Sequence, residues 1–205
     1  ITWDVSKRTF RTDLYEDYKG NRKSAPDEFK QQVKVLQKLS EKFNVPQVSL
    51  EGYEADDVLG TLSKSFNENN EEVLIVTGDR DSFQLISDKT NVLYTKKGIS
   101  EVERYGETEF EEKYKISTSQ YIEYLGLKGD SSDNIPGLPG VGEKTAINLL
   151  TDYENIENIY KNLENLKPKL KNTFIENKDL LMLSKELATI KRDLDIKLPE
   201  TKIKE

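Results

Sequence analysis

No cysteine and no histidine occur anywhere in the 205 residues, and methionine and tryptophan occur once each. Without cysteine there is no disulfide framework, and a chain of this length can bury a sizeable core without one. Without histidine there is no imidazole general base, and the two side chains that zinc sites favour are both missing. Nothing approaches the roughly 18 apolar residues that a membrane span requires, and no signal peptide, tandem repeat or low-complexity linker is recognisable. These absences predict a soluble, intracellular chain with no membrane partner. Ile1-Thr2-Trp3-Asp4 has no initiator methionine and no polar lead-in. It reads as the end of a strand already in progress, the expectation for a fragment without its natural N-terminus. The net charge of −7 argues at face value against nucleic acid, because phosphate binding rewards Lys and Arg.

What is present is an alternation. Short runs at 1–4, 48–57 and 73–81 read as strands that each end in acid, and 91–95 reads as a further strand. Between them, 25–43 carries Phe29, Val33, Leu36 and Phe43 at helical spacing behind a Ser24/Pro26/Asp27 start signal, and 54–66 carries Val58, Leu59, Leu62 and Phe66. Alternating strands and helices predict an α/β fold with a mainly parallel twisted sheet flanked by helices. From about 107 the pattern is helical. Thr108/Glu111 and Ser117/Gln120 have capping-box spacing, and 145–153 and 173–191 read as helices. The expected organisation is an α/β core over 1–107 and a helical subdomain over 108–205.

In an open α/β sheet, sites form at the carboxyl ends of the strands. That edge would receive Asp4, then Glu54, Asp56 and Asp57, then Asp79 and Asp81. One acidic pair after a strand is ordinarily a solvated turn. Six carboxylates at one edge repel unless cations offset them. An all-oxygen set suits Mg²⁺, with Mn²⁺ as a substitute, and a pair of such ions can activate water and clamp a phosphoryl displacement. A calcium loop of DxDxDG type is absent, and the DxD of a haloacid-type phosphatase normally follows an apolar residue where this chain has Gly78. Asp130 and Asp133, in "GDSSDNIPGLPGVGEKTA", bring the acids to eight; setting those aside takes the net charge from −7 to +1. The acidity then no longer argues against an anionic substrate.

Residues 138–150 fit a helix-hairpin-helix: Gly140, Gly142 and Ala146 at G-x-G-x-x-x-A spacing, flanked by Gly137, Lys144 and Thr145. Such glycines let a phosphate approach the N–H groups that open the next helix; the plain alternative is a Gly-Pro turn between helices. Residues 7–23 hold six Lys/Arg against three Asp/Glu, interleaved with Phe10, Tyr15 and Tyr18. That mixture suits single-stranded nucleic acid, although by composition a solvated amphipathic helix is the simpler reading. The Lys-rich stretch 161–178 reads as a solvated helical surface.

Together, "YKGNR", "GYEADDVLG", "VTGDRD", "GDSSDNIPGLPGVGEKTA" and "LLMLSKELATIKRDL" resemble the 5′ nuclease domain of bacterial DNA polymerase I and the wider flap endonuclease family, over nearly the whole chain. The resemblance implies a PIN-like 5′ nuclease core with a helix-3-turn-helix subdomain. It implies a monomeric metal-dependent phosphodiesterase for 5′ ends and 5′ flaps of nicked or branched duplex DNA in replication and repair. Asp4, Glu54 and Asp56 would serve one Mg²⁺, and Asp79, Asp81, Asp130 and Asp133 a second, with Asp57 in an outer role. Lys19 and Arg22 would act at the scissile phosphate, Tyr18 would stack on a base, and Arg11 would contact DNA. Residues 18–48 would form or adjoin a clamp for the 5′ arm. The hairpin at 137–145, through Gly137, Gly140, Gly142, Lys144 and Thr145, would hold the duplex, with a K⁺. It also implies a bacterial cytoplasmic, nucleoid-associated setting, a polymerase fused to or cooperating with the chain, and a family first strand bearing another metal-binding Asp ahead of Ile1. The rival readings are a non-catalytic helix-hairpin-helix DNA-binding module and a PIN-like ribonuclease.

Overall fold

A computed structural model describes residues 1–98 and 100–197; Ile99 and residues 198–205, the end of the expected helical subdomain, lie outside the described residues. The largely β-branched run Val73–Thr77 forms β1, which pairs in parallel with β2 (Thr90–Lys97), Val73 opposite Thr90 and Thr77 opposite Tyr94. β2 returns antiparallel as β3 (Glu101–Tyr105), with a register irregularity between Thr95 and Lys97. The sheet is therefore mixed, in the order β1-β2-β3. β3 has no counterpart in the sequence pattern, because its charges stand on the exposed face and only Tyr105 is buried. The strands expected at 1–4 and 48–57 contract to one parallel bridge, Thr2 to Val48. Gly52, at φ +81°, turns the chain there into the next helix.

The basic stretch at 7–23 forms only a short helix, α1 (Phe10–Leu14), followed by turns. α2 (Asp27–Lys42) starts behind Pro26, whose fixed φ suits a helix entry. Its apolar side chains Phe29 and Leu36 and the flanking Phe43 are exposed, and only Ser40 is buried. α3 (Ala55–Glu68) buries Val58 and Thr61 against the sheet side of the core. α4 (Glu107–Tyr114) opens at Gly106, not at the Thr108 cap, because the Glu109 carboxylate accepts the Gly106 N–H at 2.9 Å. The Ser117/Gln120 box holds: Gln120 Oε1 accepts the Ser117 N–H at 3.0 Å and leads into α5 (Tyr121–Lys128). There follow α6 (Glu143–Tyr153), α7 (Ile156–Lys161), α8 (Pro168–Glu176) and α9 (Lys178–Ala188). The helix expected over 173–191 is thus two helices broken at Asn177, whose amide donates to the Thr173 carbonyl at 2.9 Å.

One buried core runs from the sheet through the helical half. Phe83 is its hub: the rings of Tyr105, Tyr94, Tyr114, Phe110 and Tyr121 lie with centroids 4.8 to 6.1 Å from it. Gly126 brings α5 onto α9 so closely that a Cβ there would stand 2.9 Å from Lys185 Cβ. These contacts fix the end of α5, and with it the acidic loop that follows, relative to the end of β1.

Candidate active site

Three elements deliver the carboxylates. Glu54 caps the N-terminus of α3, and Asp4, at the end of the first segment, accepts the Ala55 N–H at 2.7 Å. After β1 the chain makes a tight turn in which the Asp79 N–H donates to the Thr77 hydroxyl at 3.0 Å and the Asp79 carboxylate accepts the Asp81 N–H at 2.9 Å. Beyond α5, Asp130 and Ile135 close an antiparallel bridge, with N–H to O distances of 2.9 and 2.7 Å. Inside that loop Asp130 accepts both the N–H and the hydroxyl of Ser132 at 2.8 Å.

The "YKGNR" turn docks on this loop. Lys19, at φ 56°, donates its N–H to the Asp133 carbonyl at 2.9 Å. Asn21 donates to the Ser131 carbonyl and Asn134 to the Asp17 carbonyl, both at 2.7 Å. Motif reasoning on the sequence misses Ser132, Asn21 and Asn134. Asx residues inside tight turns are the available signal, but the partners of both asparagines are more than a hundred residues away. Docking sets Lys19 Nζ 2.8 Å from Glu54 and 3.5 Å from Asp133, and pairs Arg22 with Asp133. The Tyr18 hydroxyl bridges Glu54 at 3.1 Å and Asp133 at 3.2 Å.

The electrostatics match a crowd of acids. Burial first, and then the charges of Asp79, Glu54 and Asp4 against the relief of Lys19, raise the Asp56 carboxyl to about 7. Asp81 is raised well above its ordinary value by burial and by Asp79, Asp130, Asp133 and Asp56. Burial works against the Lys19 ammonium, yet Glu54 and Asp133 outweigh it and hold its pKa above the ordinary value. Among the described residues no three carboxylates converge into a ready-made metal cluster. Seven acids share one electrostatic environment at the edge, and Lys19 and Arg22 stand among them. The donor set is all oxygen and fits a hard divalent cation.

Four expectations change. Asp57 is fully buried and points away from the edge: it accepts both Arg11 guanidinium nitrogens at 2.7 and 2.8 Å, the Glu54 N–H at 3.0 Å and the Lys191 N–H at 2.9 Å. No acceptor position is left for a metal. Arg11 is buried with it and also donates to the Leu187 and Thr189 carbonyls at 2.8 Å, so it is a structural tie and not a DNA contact. Tyr18 is buried, with its hydroxyl engaged, and offers no ring face to a base. Gly137 is buried with its N–H given to Ser184 Oγ at 3.0 Å, and so belongs to the scaffold. By contrast Gly140, Gly142 and Lys144 are exposed, with open space where a Cβ would stand on either glycine. Gly142 leads into α6 with no side-chain cap, which leaves the N–H groups of that first turn, Thr145 included, available.

The sequence matches two family models end to end. Residues 1–115 match the 5′-3′ exonuclease N-terminal resolvase-like domain and residues 116–205 the 5′-3′ exonuclease C-terminal SAM fold. The chain belongs to the 5′-3′ exonuclease family. Within that family it is 45% identical to DNA polymerase I of Bacillus subtilis over 78% of this chain and 18% of the relative. It is 43% identical to DNA polymerase I of Mycobacterium tuberculosis over 77% of this chain and 17% of the relative. The chain thus spans less than a fifth of the length of these relatives. The fold is also that of the bacteriophage T5 5′-exonuclease with bound divalent zinc, at TM-score 0.72 and 23% identity over 91% of this chain and 72% of that one. The catalytic core of Rad2 in complex with DNA substrate is similar at TM-score 0.56 and 18% identity, over 94% of this chain and 63% of that one.

Proposed function

We propose that this chain supplies the 5′ nuclease function of its family: hydrolysis of phosphodiester bonds at 5′ ends and 5′ flaps of branched duplex DNA, assisted by two divalent metal ions. The observation that carries the reading is the docking of the "YKGNR" turn onto the acidic loop, which sets Lys19 2.8 Å from Glu54 and 3.5 Å from Asp133 and places Arg22 beside Asp133. A site of this kind needs negative side chains for metals and a cation for the phosphate within a few ångströms of each other. Asp4, Glu54 and Asp56 would hold one ion, and Asp79, Asp81, Asp130 and Asp133 the other, with Mg²⁺ favoured by the oxygen donors and Mn²⁺ as its substitute. Bound there, the ions supply the acidified water and the charge neutralisation that a histidine-free site lacks.

The chain's own side chains would do the rest. Lys19 and Arg22, only partly buried, can exchange their carboxylate partners for the oxygens of an incoming phosphodiester and stabilise its growing charge. The Tyr18 hydroxyl would hold Glu54 and Asp133 in place during that exchange. Gly140, Gly142, Lys144 and Thr145, with a K⁺ at the hairpin, would grip the duplex backbone. In this reading residues 1–107 cut and 108–205 hold duplex, 18–48 form or adjoin a clamp for the 5′ arm, and a polymerase acts in the same replication and repair setting.

The test is Mg²⁺-dependent cleavage of a labelled 5′-flap duplex, with a matched RNA flap alongside. Asp79→Asn/Asp81→Asn is expected to lower cleavage by at least a hundredfold while flap affinity changes less than threefold. Wild-type rates in that variant overturn the metal-ligand assignment. Faster cleavage of RNA overturns the substrate class, and binding without cleavage by the natural full-length chain points to a non-catalytic module.

A further inference from the structure

A second cationic recess lies beside the carboxylate edge. It is a cavity of about 270 Å³ between the turn after β1, α4, α5 and the first residue of α6. Arg80, Lys113 and Lys128 line it together with Tyr114, Tyr121 and Tyr124, and Glu143 stands at its rim. Lys113 is already paired with Glu103 at 3.1 Å. Arg80 and Lys128 are different: among the described residues neither has a carboxylate within ion-pair distance, although Arg80 sits between Asp79 and Asp81 in sequence. Arg80 instead donates to the Tyr94 hydroxyl at 3.3 Å with its guanidinium 5.5 Å from that ring, and Lys128 Nζ lies 5.0 Å over the Tyr124 ring. Two cations thus stand against aromatic faces with no ion-pair partner among the described residues, and Glu143 is the one carboxylate lining the recess with them. The Tyr114 and Tyr121 phenols along the same wall carry no negative charge, while the Tyr124 hydroxyl is engaged by the Glu143 carboxylate.

The position of the recess says what it would take. One wall is the residue between Asp79 and Asp81; the other includes Lys128, two residues before Asp130, and Glu143, which opens α6 just after the exposed hairpin glycines. A polyanion lying from the carboxylate edge to the hairpin would pass over it. We propose that Arg80 and Lys128 form a subsite for one backbone phosphodiester of the DNA duplex, between the cleavage edge and the α6 hairpin. This rests on the nuclease reading above and adds to it two contact residues and an opposing one. Glu143 would weaken the contact, since its carboxylate faces the same recess.

The experiment is equilibrium binding of a fluorescent 5′-flap duplex in EDTA across a salt series, so that cleavage plays no part. Neutralising a cation that touches a phosphate lowers the magnitude of the slope of log affinity against log salt by about one. Lys128→Gln and Arg80→Gln are each expected to do so and to weaken binding about three- to tenfold, whereas Glu143→Gln is expected to tighten it. Binding of the flap with unchanged slope in both cation variants overturns the subsite and leaves the nuclease reading standing. Failure of the natural full-length chain to bind any flap overturns the nuclease reading itself. A thermal shift by inorganic phosphate that Lys128→Gln abolishes, with the DNA slope unchanged, shows a free-phosphate site and overturns the assignment to DNA. Near-UV circular dichroism of each variant, matched to wild type, reads out an intact fold around the tyrosines.

Discussion

Asp56 and Asp57 show how much one residue of rotation on a helix decides. They follow Glu54 at the start of α3, and about a hundred degrees separates each from the next. Asp56 faces the acidic edge, whereas Asp57 lies with Val58 and Thr61 on the buried side and receives Arg11. The periodicity that places Val58 in the core already contains this distinction; proximity in sequence to Asp56 obscures it. The strand-end acids themselves are legible, because an apolar run that ends in DxD carries its carboxylates to the sheet edge whatever the rest of the chain does. The burial of Tyr18 is not, since nothing local reveals that Glu54 and Asp133 will meet at its hydroxyl.

The same crowding makes a pH-dependent prediction. The folded-state pKa of Asp56 is raised to about 7 from an ordinary 3.8, so its neutral form is favoured by folding. That contribution is fully present below the unfolded pKa, is lost as pH climbs from about 4 to 7, and stays lost above. Asp56→Asn keeps a neutral side chain at every pH. Without divalent ions it is expected to be more stable than wild type at pH 8 by up to about 4 kcal/mol, or roughly 8–16 °C in Tm, and equal to it at pH 4. Urea titrations at the two pH values measure this; a variant no more stable at pH 8 would refute the crowding.

At the scale of elements, the loop from Gly129 to Gly142 divides its glycines between architecture and contact. Gly137 has φ +65°, is buried, and a Cβ on it would overlap the backbone of Gly129 and Lys128. Gly140 has φ +77° but opens onto empty space. Gly137→Ala is therefore expected to cost several kcal/mol through steric displacement, and Gly140→Ala only about 1 kcal/mol through backbone strain. Chemical denaturation separates them: comparable losses in both would contradict the division. The sequence pattern shows that this stretch pairs acid with glycine, but not that Gly137 is pinned to α9 through Ser184. Similarly, β3 escapes sequence reasoning because a surface hairpin strand with one buried residue has almost no apolar signature, and the run at 48–57 reads as a longer strand than it forms because its apolar residues lead into a turn.

For the whole molecule, the division near residue 107 describes chain order better than it describes packing. Phe83, between the acidic turn and β2, collects rings from β2, β3, α4 and α5, and Arg11 ties α1 to α3 and to the end of α9. An acidic edge built from both halves requires this, because Asp79 and Asp133 keep their relation only while the halves move together. Replacing the hub should consequently be felt on both sides. Phe83→Ala is expected to cost about 3–5 kcal/mol and to shift two signals by the same amount: far-UV circular dichroism, weighted toward the helical half, and the fluorescence of Trp3, bonded to Gln47 at 2.7 Å. Coincident urea transitions in wild type and variant are the expected result. If the Trp3 transition stays put while the helical signal moves, the halves are energetically separate, and packing between them does not hold the geometry of the edge.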